Sequence, residues 1–192
     1  MSVRKRKNTV ILVSGFKRSG KDFVSNLLKE SLTDSVVYSY ATPLKKIMAD
    51  TLNISLDDLD SYKNDNENLY VEDAWYEMEA ITSFRSALQV FGTEAMKPWF
   101  GDAVWSDVFV GQDLQEKYII ISDWRFNIEY EEACKYYDKV ITLRVKDDNI
   151  VNTDTHASET ELENFNFDYT LDNTKKDPSI IIGVHKFIED AL

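Results

Sequence analysis

The 192-residue sequence predicts an α/β fold of three layers, a central and mostly parallel sheet of about five strands flanked by helices. Three observations predict it. Residues 9–13 and 117–121 are nearly unbroken apolar or β-branched runs, the pattern of strands buried on both faces. Each run leads through a polar or glycine-containing turn into residues with helical spacing, so strands and helices alternate along the chain. No repeat, low-complexity stretch or linker divides the sequence, which therefore reads as a single domain over 1–192.

Thr9 to Val13 form the first strand, and the helix after it runs from Lys21 to Leu32 with Phe23, Val24, Leu27, Leu28 and Leu32 on its apolar face. Ser35 to Tyr40 is a second strand. Ala41 to Leu52 is a helix, with Thr42 as its N-cap and Pro43 in its first turn. The acidic run of Asp57, Asp58, Asp60, Asp65 and Glu67 reads as a solvated loop, since it shows no fixed ligand spacing for a metal. From Tyr70 to Phe109 the chain is rich in aromatics and helix formers. Phe84, Leu88, Phe91 and Ala95 make one stripe, and Trp99, Val104, Trp105, Val108 and Phe109 suggest a further helix. The strand from Lys117 ends in the polar group Asp123 to Arg125. Then follow a helix over Asn127 to Tyr137, a strand over Lys139 to Val145, a short helix near Glu159 to Asn164 and a strand near Tyr169 to Leu171. A closing helix from Pro178 to Leu192 buries Ile181, Val184, Ile188 and Leu192.

Gly15, Gly20 and Lys21 fit the spacing G-x-x-x-x-G-K between the first strand and the first helix. Glycines let the backbone curl so that N–H groups from Lys17 to Asp22 face phosphate oxygens. Lys21 reaches the β- and γ-phosphates, and the helix N-terminus adds a favourable dipole. Asp22 departs from the general pattern, standing where a hydroxyl residue holds Mg²⁺. In an open parallel sheet ligands gather at the carboxyl ends of strands, so Asp123 and Arg125 should emerge on the same edge as this loop.

The formal charge of −12 argues against a nucleic-acid polymer as partner, because such binding needs many cations. A small phosphorylated substrate is compatible, since Lys17, Arg18 and Lys21 concentrate positive charge in one loop. No apolar run approaches the roughly 18 residues of a membrane span. The basic start Arg4 to Lys7 reads as a solvated arm. The single cysteine, Cys134, falls on one helical face with Tyr130 and Tyr137 and reads as a buried thiol in a reducing cytoplasm. A homodimer is compatible with all of this.

Five stretches, residues 15–22, 41–45, 85–93, 122–125 and 154–159, carry a resemblance to the nucleoside monophosphate kinase branch of the P-loop fold, closest to the phage-type deoxynucleoside monophosphate kinases. The Gly-Lys-Asp ending of the loop is shared by that subgroup. The resemblance implies ATP-dependent conversion of deoxynucleoside monophosphates to diphosphates, with ATP as donor and Mg²⁺ as metal. It makes 53–110 an acceptor-binding helical insertion and 146–158 a lid-like segment, though one lacking the arginine usual in such lids. Animal-type phosphomevalonate kinases are the alternative, sharing the Ser-Gly-Lys-Asp-Phe loop, the Pro-Leu-Lys segment, a pair like Tyr62 and Lys63, and a Ser-Asp-x-Arg strand end. The run Leu88 to Thr93 followed by Trp105 to Phe109 favours the deoxynucleotide enzymes. A sensor or docking protein that binds nucleotide without turnover is the third reading, and Lys21, Asp123 and Arg125 together argue against it.

On this reading Gly15, Lys17, Arg18, Ser19, Gly20, Lys21 and Asp22 bind ATP, with Arg144 at the end of the preceding strand supplying the charge the lid lacks. Lys21, Arg18, Asp123 and Arg125 serve the phosphoryl transfer itself, and Asp22 or Asp123 holds the metal. Arg85, Gln89 and Arg125 bind the acceptor: the arginines its phosphate, Gln89 its base edge. His156 lies in the lid match and could touch a phosphate. His185 has no role.

Overall fold

Strand β1 (Arg6–Ser14) occupies the centre of a five-stranded sheet, flanked by β3 (Tyr118–Ile121) on one side and β4 (Tyr137–Lys146) on the other. With β2 (Ser35–Tyr38) and β5 (Tyr169–Asp172) at the edges the order is β2-β3-β1-β4-β5, and every pairing is parallel. The computed structural model describes residues 5–64 and 83–192, the side chains of Lys63 and Asn64 excepted. Arg4, Lys63 as a side chain, Asp65, Glu67 and the stretch from Tyr70 to Thr82 lie outside the described residues. The chain divides into two compact units, Met1–Tyr40 with Phe109–Leu192, and Ala41–Val108.

In the first unit the period-2 logic of a doubly covered sheet is satisfied residue by residue. Ile11, Val13, Ile120, Leu143 and Val145 face helix α1 (Lys21–Ser31), through Val24 and Leu28, and the C-terminal helix Ser179–Ala191. The intervening Val10, Leu12, Ile119 and Ile121 are just as fully buried, with the helix Asn127–Tyr136 packed on β1 and β4. Each wholly buried aliphatic side chain contributes about 1.5–3 kcal/mol. The four apolar residues Val10 to Val13 thus anchor the strand that launches the phosphate loop.

The second unit contains α2 (Ala41–Leu52), α3 (Leu56–Asn64) and α4 (Phe84–Gln89). Among its described residues follow a π-helical stretch, Val90–Ala95, then α5 (Met96–Phe100) and most of α6 (Val104–Gly111). The π-helical widening leaves the Gly92 carbonyl to accept from Trp105 Nε1 at 3.0 Å. The remaining helices are α7 (Asn127–Tyr136), α8 (Ala157–Thr160) and α9 (Ser179–Ala191).

Several expectations are corrected. Helix α2 starts at Ala41, so Thr42 lies inside it and does not cap it. The acidic run through Asp60 is the helix α3: Ser55 Oγ caps it by accepting from Asp58 N at 3.0 Å, and Asp57 and Asp58 complement the helix dipole in its first turn. Trp99 belongs to α5 and is 85% exposed, so it packs no core. Tyr137 opens β4 instead of closing α7, and Cys134 is only half-buried. In α9 Val184 is buried as expected, but Ile180 and Phe187 take the places expected of Ile181 and Ile188, which lie at the margin of the buried face with Leu192.

Candidate active site

The loop leaving β1 turns tightly at Phe16 to Ser19, where Ser19 N donates to Phe16 O at 3.1 Å. That bond removes the Ser19 N–H from the expected row of anion donors between Lys17 and Asp22. Arg18, exposed at the crest, has φ 68°, a left-handed conformation that costs a non-glycine residue about 1 kcal/mol or more. Gly20 then caps α1 with φ 97°, a geometry glycine adopts without penalty. The first helical bond is Val24 N to Gly20 O at 3.0 Å, so the earlier amides of this turn have no partner within the helix and form its positive end. Gly15 lies so close to Val145 O that a Cβ there would approach to 2.7 Å.

Lys21 extends from the first turn of α1, its side chain 12% exposed and 3.7 Å from Asp22 Oδ1. Burial lowers its pKa from the ordinary lysine value. Asp22, Glu159 and Asp123 oppose that shift and Arg125 adds to it, which places these charges around one ammonium group. The loop that follows β3 supplies two of them. The strand stops at Ile121 and the chain turns, so Arg125 is aimed by that turn. Its N–H donates to Glu129 Oε2 at 2.9 Å, its Nη1 to Ser158 O at 3.2 Å, and its guanidinium pairs with Glu159 at 2.5 Å. Asp123 accepts from Ser39 Oγ at 2.6 Å and from Tyr40 N at 2.8 Å. It is not the cap of α7, whose N-terminus at Phe126 is closed by Glu129.

Arg144, from β4, donates to Ser14 Oγ at 3.0 Å and lies over the Phe16 ring at 4.5 Å. Burial and the neighbouring Arg125 lower its pKa, though a guanidinium stays charged at any ordinary pH. Ser14, Phe16, Arg125, Arg144 and Glu159 border a small cleft with a volume of only about 10 Å³. The first unit therefore brings Lys21, Asp22, Asp123, Arg125 and Arg144 to one sheet edge, as the strand-end rule requires. Arg85 and Gln89 lie in the second unit, one turn apart on α4 and both partly buried. His156 caps α8, its Nδ1 accepting from Ser158 N at 3.2 Å.

Two participants escaped the sequence reading. Glu159 lay inside a motif singled out for its histidine. Asn173, whose Nδ2 donates to Ser19 O at 2.8 Å, follows the expected strand near Tyr169 to Leu171, and the strand-end rule was not applied to it.

Hard divalent cations take one or two carboxylates and keep several waters. Asp22, 78% exposed beside Lys21, and Asp123, a carboxylate that accepts from Ser39 Oγ and Tyr40 N, are of the donor type such an ion takes. Among the described residues no group of three or more His, Cys, Asp or Glu side chains is gathered into a metal cage, and no helix is long and apolar enough to cross a membrane.

The sequence matches the family model of deoxynucleotide monophosphate kinase over residues 9–80 and 54–178. No curated protein gives a significant match. Among solved structures, a gluconokinase from Sinorhizobium meliloti 1021 is similar at a TM-score of 0.43 and 10% identity, covering 97% of each chain. A protein from Chloroflexus aurantiacus that carries a provisional kinase name is similar at a TM-score of 0.46 and 15% identity, covering 97% of this chain and 99% of the other.

Proposed function

Because the chain belongs to the deoxynucleotide monophosphate kinase family, we propose that it transfers the γ-phosphoryl group of ATP to a deoxynucleoside monophosphate, giving the diphosphate. The observation that carries this reading is the ring of charge at the end of β1: Lys21 with Arg125 and Arg144, beside the open N-terminus of α1. Phosphoryl transfer asks for alignment and for positive charge around the equatorial oxygens, with little covalent chemistry from the protein. Residues 15 to 22 hold the donor, Lys21 lies against its β- and γ-phosphates, and Arg18 and Arg144 screen the transferring group. Mg²⁺, bound through Asp22 or Asp123, would neutralise phosphate charge.

Arg125 and Arg85 bind the acceptor phosphate and Gln89 its base edge. The support is chemical: a monophosphate carries close to two charges near neutral pH and a pocket that desolvates it needs more than one cation. A base-edge role for Gln89 has no purpose if the acceptor lacks a base, which sets this reading against phosphomevalonate. Residues 53–110 then form the acceptor-binding insertion and 146–158 the lid. Mixing the protein with ATP, Mg²⁺ and either a panel of deoxynucleoside monophosphates or phosphomevalonate, and following ADP, tests the proposal. Turnover of deoxynucleotides alone is expected. Turnover of phosphomevalonate alone would reassign the acceptor, and nucleotide binding without any turnover would make the protein a sensor.

A further inference from the structure

Asn173 stands just beyond β5 and has no part in the transfer described above. Its N–H is fixed on Lys146 O at 2.7 Å, at the end of β4. The residue is only 9% exposed, and its amide crosses to the phosphate loop, where Nδ2 donates to Ser19 O at 2.8 Å. Gly20 is fitted to the same amide, since a Cβ on it would lie 2.4 Å from Asn173 Nδ2. Ser19 is 1% exposed, and its hydroxyl has no hydrogen-bond partner among the described residues. The residue is thus held by its peptide groups, its N–H on Phe16 and its C=O under Asn173.

In a planar trans peptide the C=O and the following N–H point in opposite directions. Holding the Ser19 carbonyl against Asn173 therefore turns the Gly20 N–H away from Asn173. That N–H precedes the first helical bond of α1 and belongs to the donors an anion meets at the helix start. Rotation of the same peptide by half a turn would present an acceptor, the Ser19 carbonyl, to the anion instead. We infer that Asn173 is a positioning residue for polyphosphate, locking the Ser19–Gly20 peptide so that the Gly20 N–H donates to the bound phosphate. The inference rests on the phosphate-binding reading of the loop and is independent of the acceptor.

Titration calorimetry with ADP and with inorganic tripolyphosphate, on the wild type, Asn173→Ala and Asn173→Asp, tests it. Loss of one oriented donor predicts about tenfold weaker binding of both ligands in the Ala variant. The melting temperature should hold within a few degrees, and the acceptor KM should not move. The Asp variant, equal in size, presents an acceptor to an acceptor at pH 8. On acidification its carboxyl, its pKa raised by burial, protonates and regains a donor, so its affinity relative to wild type at the same pH should recover by about pH 5.5. The Ala variant should show no such recovery. Unchanged affinity in both variants, an equal loss for ADP and acceptor, or no recovery of the Asp variant overturns the inference. If Asn173→Ala does not fold, the pH profile of Asn173→Asp alone decides. A wild type that binds ADP yet phosphorylates no deoxynucleotide sinks the acceptor reading and leaves this test standing.

Discussion

Arg125 Nη1 lies 2.5 Å from Glu159 Oε2, and Glu159 is the more deeply buried partner, its side chain 6% exposed against 20% for the arginine. A carboxylate thus sits where an arginine expected to grip phosphate would otherwise face open space, and its charge also reaches Lys21 and Arg144. Breaking one side of a buried pair destabilises a fold by about 3–5 kcal/mol when both partners are fully enclosed, and by less here because Arg125 is partly solvated. Glu159→Gln should lower the melting temperature measurably and raise the acceptor KM, with the ATP KM nearly constant. Calorimetry and initial rates on the same preparation check it; an unchanged acceptor KM would show that Glu159 does not hold Arg125 for the substrate.

Lys21→Ala should reduce kcat on the order of 10² or more, the usual cost of removing a preorganised charge from a water-poor site. The pH dependence has a definite sign. Burial lowers the folded-state pKa, so the charged amine opposes folding below that value, and stability rises as pH climbs from the lowered pKa towards 10.5. Lys21→Met should remove that rise and melt no lower than wild type at neutral pH without nucleotide. Bound polyphosphate favours the ammonium form, so ATP affinity in the wild type should fall with rising pH before an ordinary lysine titrates. Melting curves and ADP titrations between pH 7 and 10 would expose the opposite trend.

Asp22 and Asp123 separate by their surroundings. Asp22→Asn, at an exposed side chain, should leave stability unchanged and shift the magnesium titration of activity. Asp123→Asn exchanges a charged acceptor for Ser39 Oγ and Tyr40 N, so it should also cost about 1–3 kcal/mol of stability. If neither variant moves the magnesium midpoint, the ion has other ligands.

Arg85→Ala should cut kcat/KM for the acceptor strongly while sparing the ATP KM, and Gln89→Ala should reorder preference among deoxynucleotides. A Gln89 variant that scales every nucleotide by the same factor would take the base edge away from that residue.

The parts legible in the sequence were those written by a local period. The runs 9–13 and 117–121 announce buried strands, the Gly15, Gly20 and Lys21 spacing announces the loop, and strand-end logic brings Asp123 and Arg125 beside it. What stayed hidden was set by tertiary contact. On α9 Phe187 takes the place expected of Ile188 because it packs on Tyr169, with ring centroids 5.0 Å apart, and apolar spacing alone fits both. Ser55 capping turned an acidic run into a helix. Glu159, within the one-turn α8, and Asn173, just after the short β5, are polar residues whose partners, Arg125 and Ser19, are distant in sequence.

The bond from Asn173 to Ser19 joins residues 154 positions apart, and the strand that carries the loop has its neighbours in β3 and β4, far downstream. A ribosome delivering this chain therefore releases β1 first but cannot seat it until most of the sequence has emerged. Such non-local closure slows folding and leaves an apolar strand uncovered during synthesis. A nascent chain stopped before β5 should lack the hold on Ser19, so the loop would gain that hold only once Asn173 has emerged.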